Sequence, residues 1–164
     1  MPTDRNQSDF DGSVEAQFFQ FESDFVASLR CIPMIVRFKL DLCGVKLSLR
    51  AWSRFDQETR ALCVSLPTRS AKEIADYGTT LCHAIEQIGQ QPVLLEVDQS
   101  PAWVDVQCVP PVVVERAEKL GIGCDRFDRW SNLPPLHRFA LVKLTRGGHE
   151  NENFRPALKE FGLL

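Results

Sequence analysis

The chain has 164 residues, 44% hydrophobic and 25% charged, the composition of one ordinary globular domain, which excludes a disordered, fibrous or low-complexity chain. No apolar run approaches the roughly 18 residues that a membrane helix needs, so no membrane partner is expected. With 22 acids against 19 bases the net charge is −3, which disfavours general nucleic-acid binding, because neutralising many phosphates requires an excess of Lys and Arg.

In chain order, residues 1–16 are polar and acidic and read as a disordered N-terminal extension. The opening MPTDRNQSDFDG lacks the basic start and apolar stretch of a secretory signal, so a cytoplasmic location is the expectation. The rest, 17–164, reads as a single helical domain. Phe18, Phe19, Phe21, Phe25, Val26 and Leu29 predict a helix from about residue 22 packed on the core. Residues 25–60 then carry seven bases (Arg30, Arg37, Lys39, Lys46, Arg50, Arg54 and Arg60) against three acids. A cationic first third, joined by the basic tail, suits an acidic partner.

Residues 31–66 and 108–144 read as two copies of one unit. Cys31-Ile32-Pro33 matches Cys108-Val109-Pro110; Gly44 matches Gly121; Trp52-Ser53 matches Trp130-Ser131; Arg60 matches Arg138. In each copy Pro opens a short helix, and Gly ends it in a left-handed residue. A short extended piece, a Trp and a second helix follow, the last begun by Asp56 in the first copy and by Pro134-Pro135 in the second. The extended pieces 45–49 and 122–126 are expected to pair as a small two-stranded ribbon.

Between the copies lies the clearest helix, about 70–89. Ser70-Ala71-Lys72-Glu73 forms a capping box, Ile74, Tyr77, Leu81, Ile85 and Ile88 recur at helical spacing, and Gly89 and Pro92 close it. The connector 90–108 contains Val93-Leu94-Leu95, a short strand or an extended cover over the core. In the tail, 145–164, Gly147-Gly148 breaks the chain and Pro156–Phe161 forms one or two helical turns.

Chemistry-bearing motifs are sparse. The six cysteines, Cys31, Cys43, Cys63, Cys82, Cys108 and Cys124, form no Cys-x-x-Cys pair, which excludes zinc-ribbon and thioredoxin signatures; reduced thiols used mostly as small core residues are expected. His149-Glu150 followed by Asn153 lacks the second histidine of a zinc-protease helix and reads as a tight turn fixing the tail. Trp52, Trp130, Arg60 and Arg138 recur in both copies, so a packing or carbonyl-capping role is expected of them. Residues present in one copy only, among them Arg30, Arg37, Arg146, His149 and Glu150, are the better functional candidates.

The stretch from Phe19-Gln20-Phe21-Glu22 through Ser28-Leu29-Arg30-Cys31-Ile32-Pro33-Met34 and Val36-Arg37, Lys39-Leu40-Asp41, Cys43-Gly44 and Lys46-Leu47 to Trp52 resembles the N-terminal signature of the nitrate reductase-associated proteins. The stretch Arg138-Phe139-Ala140-Leu141, Lys143-Leu144, Arg146, Gly148-His149-Glu150, Asn153-Phe154, Pro156-Ala157-Leu158 and Glu160–Leu163 resembles the second signature of that family, and Pro101-Ala102-Trp103 also fits. The resemblance spans about 18–163; the extension 1–16 and the linker 87–99 depart from it. It implies a role beside nitrate assimilation. Family members are encoded near nitrate reductase, a molybdenum and iron–sulfur enzyme, and the cyanobacterial ones are needed to produce it in active form. No catalytic set is implied.

The combined reading is a mainly α fold of two repeated helix–Gly turn–extended–helix units around one core with a central helix. The expected function is a non-enzymatic assembly factor that binds apo-nitrate reductase, without a cofactor or metal of its own. Candidate partner-binding residues are Arg30, Cys31, Arg37, Lys39, Arg146, His149, Glu150 and Asn153. The rival readings are a cysteine-based redox or metal-handling protein and a helix-turn-helix regulator; the net charge opposes the latter.

Overall fold

The computed structural model describes residues 18–147 and 152–164. The expected disordered extension over 1–16, and His149 and Glu150 of the tail turn, lie outside the described residues. The chain enters through a 3-10 turn, Gln20–Glu22, and the single-turn helix α1, Ser23–Val26. The aromatic segment is therefore shorter as a helix than its composition suggests. It ends at Leu29, which takes the left-handed φ of 50° that bulky residues avoid. The strain is held in place from two sides. The Leu29 side chain is buried, and its carbonyl accepts hydrogen bonds from the Trp52 indole N–H (2.7 Å) and from Arg60 (3.4 Å).

Helix α2, Met34–Cys43, follows Pro33, which as N-cap residue has no side-chain acceptor to offer. It ends at Gly44 (φ 69°), whose N–H returns to the Leu40 carbonyl at 2.9 Å. Strand β1, Val45–Lys46, is followed by α3, Leu49–Arg54, capped by the Ser48 hydroxyl on the Ala51 N–H, and by α4, Gln57–Ser65, capped by Asp56 on the Thr59 N–H. The long helix α5, Ala71–Gln87, opens with the expected reciprocal Ser70/Glu73 box. Strand β2, Val93–Leu94, leads to a 3-10 turn at Ala102–Val104. Helix α6, Pro111–Lys119, is followed by 3-10 turns at Cys124–Phe127 and Trp130–Asn132, then α7, Pro135–Lys143, and α8, Phe154–Glu160.

The ribbon exists, but its partner is not the expected one. β1 pairs antiparallel with β2, Val45 opposite Leu94 and Lys46 opposite Val93. Residues 124–127 coil into a 3-10 turn instead, and Leu49 already belongs to α3. The reason lies at Gly44. The 95–97 segment passes so close that a Cβ at Gly44 would meet the Leu95 carbonyl oxygen at 2.6 Å, and the Leu95 N–H donates to the Gly44 carbonyl at 2.7 Å. The bare α-carbon of Gly44 thus both ends α2 and admits the neighbouring strand.

The apolar interior forms two clusters with α2 between them. Val36 and Leu40 face one, with Trp52, Tyr77, Leu81 and Ile85; Met34 belongs to the other, with Trp130, Phe139, Phe154 and Leu158; Ile35 touches both. The fold does not confirm 31–66 and 108–144 as two copies of one unit; only single residues play similar parts. Gly44 and Gly121 have the same φ of 69°, and the Trp52 and Trp130 indoles donate to the Leu29 and Asp105 carbonyls. Arg60 donates to the Trp52 and Ser53 carbonyls, Arg138 to those of Trp103 and Leu133. Secondary structure diverges between these anchors, since α3 and β1 face 3-10 turns in the later segment.

The two glycines give a direct test. Alanine at Gly121 meets nothing within 4 Å and incurs only the left-handed backbone cost of about 1–2 kcal/mol. Alanine at Gly44 adds overpacking against Leu95 and Val97, roughly 1–3 kcal/mol more. Urea unfolding of Gly44→Ala and Gly121→Ala should show the larger loss at Gly44; equal losses would mean that the strand approach exerts no constraint.

Candidate functional site

The first half of the site is the N-terminal end of α2. The first N–H groups of a helix need acceptors, and Pro33 supplies none. Glu22 does so from the preceding turn. One carboxylate oxygen accepts the Met34 N–H at 2.6 Å, and the other accepts the Phe19 N–H at 3.0 Å. Glu22 is 2% exposed, and burial pushes its carboxyl above the usual carboxylate range against the downward pull of these two amides and of Arg37. Arg37, one turn along, is half-buried and donates to the Ile32 carbonyl at 3.2 Å. Arg30 is exposed and Cys31 half-buried beside it in sequence.

The second half is the opposite end of α2. Phe38 meets Phe139 and Asp41 meets Lys143, so α2 and α7 run side by side in the same direction. Their C-terminal ends and the 95–103 segment enclose a groove of about 440 Å³. Its floor is apolar, with Leu40, Val45, Trp103 and Phe139, and its rim carries Asp41, Glu96, Asp98 and Arg146. Lys143 bridges to Asp41 at 2.7 Å and lies 5.2 Å from the Phe139 ring centre, so its charge is doubly compensated.

The expected cationic residues are therefore not gathered at one spot. Arg30 precedes α2 and Arg146 follows α7, separated by the length of a 10-residue helix, about 15 Å. Lys39 is not on the surface. It is 3% exposed, and its ammonium donates to the Val64 and Leu66 carbonyls, both at 2.6 Å, closing the C-terminal end of α4. Asn153 is half-buried at the N-cap position of α8, without a side-chain capping bond. Among the cysteines, burial lifts the Cys63 thiol to about 11 and also raises Cys43 and Cys82, which favours the protonated thiol. The expectation of mostly core cysteines holds fully only at Cys63: Cys31, Cys43 and Cys82 are half-buried, and Cys108 and Cys124 are exposed. Cys108 occupies the loop turn that Asp105 closes by accepting its N–H and that of Gln107. Among the described residues, no group of three or more His, Cys, Asp or Glu side chains is placed to hold a metal ion.

Sequence reasoning missed Glu22 as the cap of α2. Its signal was an acid embedded between phenylalanines, ahead of a helix whose N-cap is proline. The Asp41–Lys143 pair had no local signal, because its members meet only through helix packing.

The sequence profile of the conserved nitrate reductase-associated protein family matches residues 18–161, nearly the whole described chain. The chain belongs to this family. The match starts in the aromatic segment that delivers Glu22 and ends at α8, so the capped α2 and the α2–α7 groove both lie inside it. No curated protein and no solved structure matches the chain. Among the described residues, no helix is long and apolar enough to cross a membrane.

The buried lysine yields a pH prediction. Burial lowers Lys39 to about 8, so above that pH the folded chain has released a proton that the unfolded chain still holds, and stability rises with pH. Cys43, Cys63 and Cys82, all raised by burial, oppose this as the pH nears the ordinary thiol value of 9, and Tyr77 does so at higher pH. Between pH 8 and 9, the stability of the native chain should rise relative to that of Lys39→Met, which should also be about 1–3 kcal/mol less stable because two carbonyls lose their donor. Parallel pH curves from urea unfolding would contradict this role.

Proposed function

We propose that the chain is a non-enzymatic accessory factor that binds apo-nitrate reductase while that enzyme matures or takes up its cofactors. The observation that carries the reading is the family match across residues 18–161, whose description is association with nitrate reductase. The chemistry of the interior supports it. Among the described residues, each buried charged side chain serves the backbone: Glu22 caps α2, Lys39 closes α4, and Arg138 holds the Trp103 and Leu133 carbonyls. These groups work for the fold, which leaves the exposed groups to work on a partner. Arg30 and Arg146 mark two ends of the face proposed to meet the acidic surface of the reductase. Arg37 and Asn153 extend it, and His149 and Glu150, which lie outside the described residues, are proposed for the same contact from the sequence alone.

The test is a deletion strain of the source organism, grown on nitrate and complemented with variants. The reading predicts that loss of the chain lowers nitrate reductase activity and cofactor content together. It predicts that Arg30→Glu combined with Arg146→Glu lowers capture of the apo-reductase by about tenfold, because each reversal turns an attraction into a repulsion, while leaving thermal unfolding unchanged. Full activity with normal cofactor content in the deletion strain would overturn it.

A further inference from the structure

We propose that the outer edge of β2 is a binding site for an extended segment that alternates apolar and basic residues, which would join the ribbon as its third strand. The geometry points to this independently of which protein supplies the segment. The ribbon has two strands, and β2 is hydrogen-bonded on one side only. Leu95 donates to the Gly44 carbonyl, and the register sets Lys46 against Val93 and Val45 against Leu94. In an antiparallel ladder, successive residues direct their N–H and C=O groups alternately toward and away from the partner strand. Val93 and Leu95 thus bond inward, while the N–H and C=O of Leu94 face outward at the open edge.

The side chains at this edge are apolar and uncovered. Val93, Leu94 and Leu95 are 51%, 70% and 54% exposed. Of the two expectations for this stretch, the short strand is the one realised, and Val93–Leu95 does not cover the core. Natural proteins blunt open edges with lysine, proline or a covering element, because an open edge pairs with any available strand. Pro92 precedes β2, but Val93–Leu95 carries neither charge nor proline. An apolar edge left open in this way fits partner recognition by strand addition, in which main-chain bonds give affinity and alternate side chains give selectivity.

Charge selects the occupant. Glu96 and Asp98 follow β2 within four residues and Asp105 lies further along the connector; in the groove that Glu96 and Asp98 line together with Asp41, these three acids outnumber two bases, Arg146 and Lys143, the latter bridged to Asp41. The ribbon's own lysine, Lys46, is on β1, away from the open edge. A segment alternating apolar residues with Lys or Arg matches both features. A second copy of this chain offers no base from the equivalent stretch.

The test uses a fluorescent peptide alternating valine and lysine, titrated into the full chain, with a valine–glutamate peptide as control. The lysine peptide should bind, weaken as salt is raised, and slow hydrogen exchange at the Leu94 amide; the glutamate peptide should not bind. Leu94→Pro removes the outward N–H without touching the inward ladder, so it should fold and lose about tenfold in affinity. Should that variant fail to fold, the exchange protection at Leu94 in the native chain decides alone. No binding, equal binding of both peptides, or binding without protection at Leu94 would overturn the proposal. Self-association of the native chain through this edge would overturn it in favour of a second copy.

Discussion

Helix α2 must be buried on two sides and begin without a side-chain cap of its own, and the rest of the structure answers that demand. Val36 and Leu40 enter one apolar cluster, Met34 the other, and Ile35 touches both. A helix of 10 residues has little stability alone, so packing must hold it. Its first amide is satisfied from outside by the buried Glu22 carboxylate, which suits the positive end of the helix dipole. Its last turn ends at Gly44, where the absent side chain lets β2 approach. Entry turn, ribbon and both clusters thus meet on one short helix.

Much of this was legible in the sequence wherever the controlling signal was local. The Ser70/Glu73 box, the Asp56 cap, the Pro134-Pro135 start and the left-handed glycines 44 and 121 each depend on residues a few positions apart. What escaped was set by contacts between distant segments. The ribbon took 93–94 as its second strand because of the close approach at Gly44, which no periodicity reports. Helix α3 is too short for its spacing to emerge, and its Trp52 reads equally well as the end of a strand. Lys39 reads as a surface cation until α4 is folded against α2 and its two terminal carbonyls claim the ammonium.

The candidate site was legible in its residue types and not in its arrangement. Sequence reasoning named Arg30, Arg37 and Arg146 because only one copy of the expected unit carries each, but the parallel course of α2 and α7 places the first and last at opposite ends. At the Arg146 end the groove mixes an apolar floor with a rim of both signs, of which Lys143 and Asp41 neutralise each other. The charges that burial would perturb most are fixed on peptide groups, so the fold consumes its unusual ionisation chemistry internally.

The central claim is that this chain recognises nitrate reductase before the enzyme is complete. Sedimentation velocity of the purified chain mixed with apo-reductase, and separately with the cofactor-loaded enzyme, tests it most directly. The account predicts a complex with the apo form that is absent or markedly weaker with the loaded form. Failure to sediment with either form, or equal binding to both, would contradict it.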